Sequence, residues 1–434
     1  MNYMGLKSFR RKIRKTPPSV LLTTGFLSII LTGTALLLLP VSTTSGISIT
    51  DAFFVATSAV CVTGLSPIDV STSLTLFGQG VLMTLFQIGG LGYALLLVVV
   101  ITAANGSLSF RNKALLRESF GMDNRMKVSR VIRFVLLLTF ISEGVGTILL
   151  SIPFVRDHGS EGVFIALFTS VSAFNNAGFD LFGNSLIGYA DSAAVLIPVA
   201  LLIITGGVGF LVLREIIVPG KGRKKLSVHT KVVILMTLLL LATGTVGFIV
   251  LQGMDPLEAF FQSVTTRTAG FTTFDQGTLT PAAFMLTILL MFIGASPCST
   301  GGGIKTTTIF AALGASYSLL SGKDFVTFRR SISSQTVSRA LYIIMIAALM
   351  IFSSTFLLSI TEPDLPLSAL FYEVTSALAT VGLSQNVTGE LNILSKYIII
   401  ILMYVGRVGI LTILSCFTGE EKHIRYIEGK IIVG

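Results

Sequence analysis

Charge is scarce in this chain: Asp, Glu, Lys and Arg make up only 12% of its 434 residues, while 52% are hydrophobic. Soluble globular folds do not tolerate that balance, so the composition reads as that of a membrane protein. Cysteine is almost missing. Cys61, Cys298 and Cys416 lie too far apart to build a disulfide framework, and they have no metal-ligand spacing. Histidine is as rare. His158, His229 and His423 are scattered in predicted loops and no nucleophile–base constellation appears, so the chain does not read as an enzyme.

What the chain has in abundance is apolar runs of about the 20 residues that cross a bilayer. They fall near 19–40, 75–103, 131–155, 191–218, 231–252, 338–360 and 391–417, and an interrupted run lies near 280–320. Lys and Arg cluster at 7–15, 111–133, 214–231, 305–339 and 422–430. These clusters alternate with segments that hold most of the acids, among them Asp69, Asp180, Asp275 and Glu390. The positive-inside rule therefore predicts cytoplasmic N- and C-termini and basic loops, with the acidic segments outside. An acidic outer face concentrates cations. The net charge of +10 orients helices on this reading and implies no nucleic-acid partner. The first apolar run follows basic residues, as in a signal peptide, but lacks a small-residue cleavage site before the hairpin that follows. Asn386-Val387-Thr388 matches a glycosylation sequon, a pattern short enough to arise by chance.

One pattern recurs four times, each time between two long apolar segments: an aromatic, nine residues, then glycine and a bulky apolar residue. The copies run from Phe54 to Gly64-Leu65, Phe168 to Gly178-Phe179, Phe260 to Gly270-Phe271 and Tyr372 to Gly382-Leu383. The segment before each glycine is too short to cross a bilayer, so it reads as a half-helix entering from outside and ending near the midplane. Irregular backbone survives at that depth only when packed in protein or lining a wet cavity. The predicted fold is all-α: four helix–pore loop–helix repeats in one chain around a pseudo-fourfold pore, with eight membrane helices. Their spans are 1–125, 126–225, 226–330 and 331–434.

Four backbone strands can replace the water around K⁺ with carbonyl oxygens, and glycine reaches the dihedrals that aim them alike. The expected selectivity filter is Val62-Thr63-Gly64, Asn176-Ala177-Gly178, Thr268-Ala269-Gly270 and Thr380-Val381-Gly382, with K⁺ held by backbone carbonyls. Leu65, Phe179, Phe271 and Leu383 are expected to wedge each strand against the surrounding helices. Arg267 stands three residues before Gly270 and is expected behind the filter, paired with hairpin carbonyls or an acid such as Glu373. A sodium channel would show an acidic ring at the filter or an arginine-striped helix, and neither is present.

The second helix of each repeat carries small residues: Gly89-Gly90, Gly206-Gly207, Gly294-Ala295-Ser296-Pro297 and Gly406-Arg407. Close helix packing accounts for most of them. In the third repeat the run Gly294, Ala295, Ser296, Pro297, then Gly301, Gly302, Gly303 and Lys305 cannot continue a helix. It reads as a gate loop, 294–308, at the midplane beneath the filter. A phosphate-loop reading fails on spacing and on the lack of a preceding strand. Arg407 takes the place of Gly90 and Gly207, about 16 Å along the helix from Lys396, too deep to reach water. It is expected to hold the 294–303 loop by its carbonyls and to place a positive barrier under the filter. The alternative is a structural ion pair with Glu143.

These features resemble the Trk/Ktr/HKT superfamily of potassium transporters over nearly the whole chain. The filter hairpins, the stretch Thr265-Thr266-Arg267-Thr268-Ala269-Gly270-Phe271, the loop from Gly294 to Lys305 and Arg407 carry the resemblance. Within the superfamily the chain is similar to the KtrB branch, the membrane subunits of Ktr potassium uptake systems. Gly64 resembles the K⁺-preferring members. The resemblance implies a homodimer in a bacterial plasma membrane, among membrane lipids. It also implies a cytoplasmic KtrA-like nucleotide-binding (RCK) regulatory ring, whose nucleotide sits on that partner, and Na⁺ as an activator. No cofactor is expected on this chain, K⁺ being its substrate. The basic segments 111–133, 214–231 and 418–434 are candidate docking surfaces, and Ile431-Ile432-Val433-Gly434 a candidate dimer contact. The expected function is channel-like potassium uptake. The alternative is a secondary transporter coupling K⁺ to Na⁺ or H⁺, disfavoured because only one of the four repeats reads as interrupted.

Overall fold

The computed structural model describes residues 18–103, 128–218 and 226–417. The basic clusters 7–15 and 422–430, most of 111–133, part of 214–231, the tail 418–434 with its apolar end, and the boundaries near 125 and 225 lie outside the described residues. The described chain is helical apart from a small hairpin, Val326–Thr327 against Arg330–Ser331.

A long helix, a short one and a second helix follow one another four times. The first set is α1 (Pro18–Leu37), α2 (Ile49–Cys61) and α3 (Leu76–Ala103). The next is α4 (Val128–His158), α5 (Gly162–Asn175) and the pair α6 (Ala193–Val208) and α7 (Phe210–Ile217). Then come α8 (Val228–Gln252), α9 (Pro256–Thr265) and the pair α10 (Pro281–Phe292) and α11 (Thr306–Ser321). The last set is α12 (Ser334–Thr361), α13 (Leu367–Ala379) and the pair α14 (Ile393–Val408) and α15 (Ile410–Phe417). Local chemistry sets several starts. Ser48, Ser227, Thr280, Ser333 and Asn392 each accept a first-turn backbone N–H with their side chains, satisfying donors that the helix itself cannot. His158 closes α4 and His229 lies in the first turn of α8, not in loops as expected.

The short helices are the core and the long ones its jacket. Phe54, Phe168, Phe261 and Tyr372 on the short helices are fully buried. Leu31, Ile148, Val250 and Phe352 on the long helices are exposed, as an apolar solvent requires. Among the described residues, four helical segments are long and apolar enough to cross a membrane, or five if α6 and α7 count as one span. Three of the four second helices are broken into two shorter pieces, where the sequence predicts one such break. Gly209 between α6 and α7 has φ 102° and Gly409 between α14 and α15 has φ 94°, and α6 meets α7 at 99°. The first of these breaks is made by tertiary contact. Phe210 donates its N–H to the Cys298 carbonyl at 2.9 Å, and a methyl on Gly209 would lie 2.6 Å from the Pro297 carbonyl oxygen.

Polar bonds tie neighbouring sets together. Lys396 of α14 pairs with Asp51 of α2 at 2.8 Å. Tyr372 of α13 donates its hydroxyl to Gln276 at 3.0 Å, and Gln276 in turn bonds Gln262 of α9 at 2.9 Å. Tyr372→Phe leaves the ring in place and removes one of the two donors to Gln276 Oε1, so it is expected to cost about 1 kcal/mol, read as a lower midpoint in thermal unfolding of the detergent-solubilised protein.

Candidate functional site

Each short helix ends in a forced turn. Val62, Asn176 and Thr380 stand in the left-handed region at φ 55°, 58° and 51°. Their N–H groups reach the carbonyls of Ala59, Ala173 and Ala377, while the next residues reach Ser58, Ser172 and Ser376, the paired bonds of a Schellman cap. For β-branched Val62 and Thr380 that conformation costs about 1–2 kcal/mol each. Full burial and the two cap bonds hold them there. The third copy differs: Thr268 has φ 88°, and Ala269 donates to the Thr265 carbonyl at 2.9 Å. Ser58 and Ser376 also accept from the N–H of Gly64 and Gly382, each at 3.1 Å.

The four motif glycines meet. Gly64, Gly178, Gly270 and Gly382 all have positive φ, at 100°, 71°, 80° and 93°. A methyl on Gly64 would lie 2.7 Å from the Ala177 carbonyl oxygen, on Gly178 2.8 Å from that of Ala269, and on Gly270 2.7 Å from that of Val381. On Gly382 it would strike the Thr63 carbonyl oxygen. Each copy therefore touches the next and the fourth returns to the first, so residues 62–64, 176–178, 268–270 and 380–382 form a closed ring. Leu65, Phe179, Phe271 and Leu383 are all buried behind it, and the Phe179 ring stacks on Phe86 of α3, 6.1 Å between centroids.

Above the ring is a cavity of about 340 Å³, lined by Gly64, Gly178 and Gly382 together with Asp69, Asp180, Asn386 and Thr388. The two acids titrate in opposite directions. Partial burial alone would raise the Asp69 carboxyl, but hydrogen bonds from the hydroxyls and N–H groups of Ser71 and Thr72 hold it below its ordinary value. Burial raises Asp180. The N–H groups of Phe182, Gly183 and Ser185 oppose that rise, and the negative charge of Asp69 adds to it.

Below the ring lies the stretch from Gly294 to Lys305. A methyl on Gly301 would strike the Thr268 hydroxyl and lie 3.2 Å from the Asn176 amide nitrogen, and one on Gly302 would lie 3.1 Å from Thr380 Cβ. The loop backbone thus packs directly against three of the four residues that open the ring strands. It is pinned from two sides. Ser296 and Thr300 donate their N–H groups to Gly207 and Gly206 of α6, each at 3.1 Å, and Ala295 donates to Gly302 at 3.3 Å. Lys305 Nζ donates to the carbonyls of Gly301 at 2.8 Å and Gly302 at 3.2 Å. Arg407 donates to the Thr300 carbonyl and, from its other nitrogen, to Gly89 and Gly90 of α3. One guanidinium therefore bridges the loop and the first set's second helix. Behind the loop, towards α12 and α15, is a cavity of about 260 Å³ bordered by Pro297, Gly303, Lys305 and Arg407.

Two pairings that the sequence left open, Arg407 with Glu143 and Arg267 with Glu373, are not seen among the described residues. Glu143 accepts from the side-chain amides of Gln87 and Asn175, while Arg407 spends the donors described above on carbonyls. Glu373 accepts from Thr388. Arg267 is buried among Ile203, Val208, Leu241 and Val264, beside a cavity of about 10 Å³ that Asn176 and Thr237 also line. Its Nε has no partner among the described residues. The Glu373 carboxylate, midway along α13, is level with Thr388, whose hydroxyl it accepts. The breaks at Gly209 and Gly409 escaped sequence reasoning because glycine in an apolar helix also serves plain packing.

Comparisons with known proteins identify the family. The family model described as TrkH, cation transport protein, matches residues 7–424. The chain is 38% identical to "Ktr system potassium uptake protein B" of Bacillus subtilis over 97% of this chain and 98% of that one. It is 38% identical to the protein of the same name from Vibrio alginolyticus, covering 98% and 96%. It is 35% identical to "Potassium/sodium uptake protein NtpJ" of Enterococcus hirae, covering 98% and 99%. Its fold is similar to the crystal structure of the potassium transporter TrkH from Vibrio parahaemolyticus, with TM-score 0.69 and 24% identity over 91% of this chain and 85% of that one. With the whole helical core matched from the first set to the last, the chain belongs to the TrkH family of cation transport proteins.

Proposed function

We propose that the chain is a multi-pass potassium uptake protein of the bacterial plasma membrane, with both termini cytoplasmic, conducting K⁺ through a channel-like pore. Four helix–pore helix–helix repeats, eight membrane passes once the broken helices are joined, surround a filter formed by residues 62–64, 176–178, 268–270 and 380–382. The closed cyclic contact of the four positive-φ glycines carries this reading. It supplies backbone carbonyls from four sides, the donor set that replaces the hydration shell of K⁺. The carbonyl ends of α2, α5, α9 and α13 abut the ring and favour a cation there. The loop 294–308 and Arg407 form the gate. A homodimer, a KtrA-like nucleotide-binding ring docked on the cytoplasmic side and activation by Na⁺ complete the proposal; the names of the Ktr relatives, proteins B of a Ktr system, support partnership with other components of such a system.

A second reading, a secondary K⁺/Na⁺ or K⁺/H⁺ symporter, has one observation in its favour. Gly209 and Gly409 break the second helices at corresponding places in the two halves of the chain, the pattern of a transporter that rocks around a central site. Uptake of radioactive rubidium into liposomes holding the purified protein, driven by a K⁺ gradient, separates the two. Uptake without a Na⁺ or proton gradient establishes the pore; a strict requirement for either gradient overturns it.

The outer cavity makes a further prediction. With its carboxyl held above the usual range, Asp180 takes up a proton before Asp69 as external pH falls. Loss of that negative charge thins the cation concentration at the mouth. Uptake at low external K⁺ is expected to weaken about twofold to threefold, at a charge-to-charge scale of about 1 kcal/mol or less near water, as pH drops towards the carboxylate range. Asp180→Asn is expected to show the weakened uptake at every pH and to lose the pH dependence, read from initial rates.

A further inference from the structure

Glu143 stands midway along α4, flanked by exposed Phe140, Ile141 and Val145, and is itself buried. A carboxyl at that depth is costly unless its oxygens are satisfied. Both are, by amides from two other elements. Oε2 accepts from Gln87 Nε2 of α3 at 3.2 Å, and Oε1 accepts from Asn175 Nδ2 of α5 at 3.1 Å. Asn175 Nδ2 also lies 2.6 Å from Gln87 Oε1 and 2.8 Å from the Val171 carbonyl. The Glu143 backbone carbonyl accepts the Ser170 hydroxyl at 2.8 Å, so α4 grips α5 at two levels.

What the cluster holds is significant. Asn175 is the last residue of α5, and the next residue, Asn176, begins the second ring strand. Gly90 is seated against Asn175: a methyl there would lie 2.7 Å from its Cγ. The carbonyls of Gly89 and Gly90 are the ones Arg407 binds. Within four residues, then, α3 receives the arginine that clamps the loop and supports the side chain that anchors the ring.

We propose that Glu143 is a positioning residue. Through Asn175 and Gln87 it ties ring strand 176–178 to the segment of α3 gripped by Arg407, so that ion discrimination at the ring depends on it and is coupled to the clamp. This inference rests on the pore reading. Its logic is alignment: a strand whose helix end is free to shift presents its carbonyls to the ion in a broader range of positions, which weakens K⁺ over Na⁺ more than it weakens passage itself.

The test is rubidium uptake into liposomes in competition with K⁺ and Na⁺, comparing the full chain with Glu143→Leu, Glu143→Gln, Gln87→Leu and the control Thr139→Val. Thr139 is one helical turn from Glu143, buried, and without a hydrogen-bond partner for its hydroxyl among the described residues, so it reports mere disturbance of α4. Glu143→Leu and Gln87→Leu are expected to lower the preference for K⁺ over Na⁺ about tenfold, the scale of one lost charge-assisted hydrogen bond. Glu143→Gln, which keeps the shape and one acceptor, is expected to retain most of it, and Thr139→Val all of it. Combined with Arg407→Ala, the Glu143→Leu effect is expected to be smaller than on the intact clamp, the non-additivity of coupled sites. An unchanged preference in the folded Glu143→Leu and Gln87→Leu proteins, or an equal loss in Thr139→Val, overturns the proposal. If Glu143→Leu fails to fold, Gln87→Leu decides alone. Wild-type uptake that is sensitive to Gly270→Ala while these variants do nothing sinks this inference only; insensitivity to Gly270→Ala sinks the pore.

Discussion

Replacing Gly382 by alanine is expected to raise the KM for rubidium uptake more than about tenfold and to let Na⁺ compete. Two costs combine. At φ 93° an L side chain is strained by about 1–2 kcal/mol, and its methyl would strike the Thr63 carbonyl oxygen and lie 3.0 Å from Gly64 Cα. Backbone on both sides of the contact must move, and the group displaced is one of the ring's own carbonyls. The strain alone is not enough, and the chain contains the control. Gly46 has φ 81° with nothing within 4 Å of an added methyl, so Gly46→Ala carries a similar backbone strain away from the ring. It is expected to reduce stability slightly and leave KM and ion preference unchanged. Equal effects of the two substitutions on ion preference would remove the ring from its proposed role.

Arg407→Ala is expected to raise basal flux about tenfold or more in the protein without any regulatory partner. The side chain donates to Thr300 in the loop and to Gly89 and Gly90 in α3, and charge-assisted bonds of this kind are worth about 1.5–3 kcal/mol each. Losing the bridge leaves the loop held by α6 and by its own Lys305, with no bond to α3. Removing the guanidinium also lifts a positive charge from beneath the ring. Arg407→Lys is not expected to restore the closed state, because an ammonium lacks the planar fork that reaches two separate elements. Unchanged basal flux in a normally expressed Arg407→Ala protein would dismiss the clamp.

Much of this site was legible because its chemistry is repeated. A single Gly-apolar pair is a turn signal; four at matching distances from an aromatic are not accidental, and their positive φ values follow from the need for glycine at such dihedrals. The loop was legible from composition, since Pro297 and the run Gly301 to Gly303 cannot continue a helix. Arg407 stood out because an ionisable group inside an apolar run needs a reason.

Partners were not legible. Arg407 faced two candidate arrangements in the sequence, carbonyls of the loop or the Glu143 carboxylate, and nothing in residue spacing distinguishes them. Glu143 is instead engaged by Gln87 and Asn175, residues 56 and 32 positions away in the chain. The breaks at Gly209 and Gly409 were likewise hidden, because an apolar helix containing glycine is stable until another element supplies a bond to its freed backbone, as Cys298 does for Phe210. Composition and periodicity alone determined that this is a membrane chain with four short buried helices ending in glycine turns, since those are consequences of local sterics and of the apolar solvent. Only the tertiary structure decided that the four turns close into one ring, which carbonyls Arg407 binds and which carboxyls go to amides and hydroxyls. Those choices are made between atoms far apart in sequence, where burial leaves each polar group bound to whichever partner the packing brings within reach.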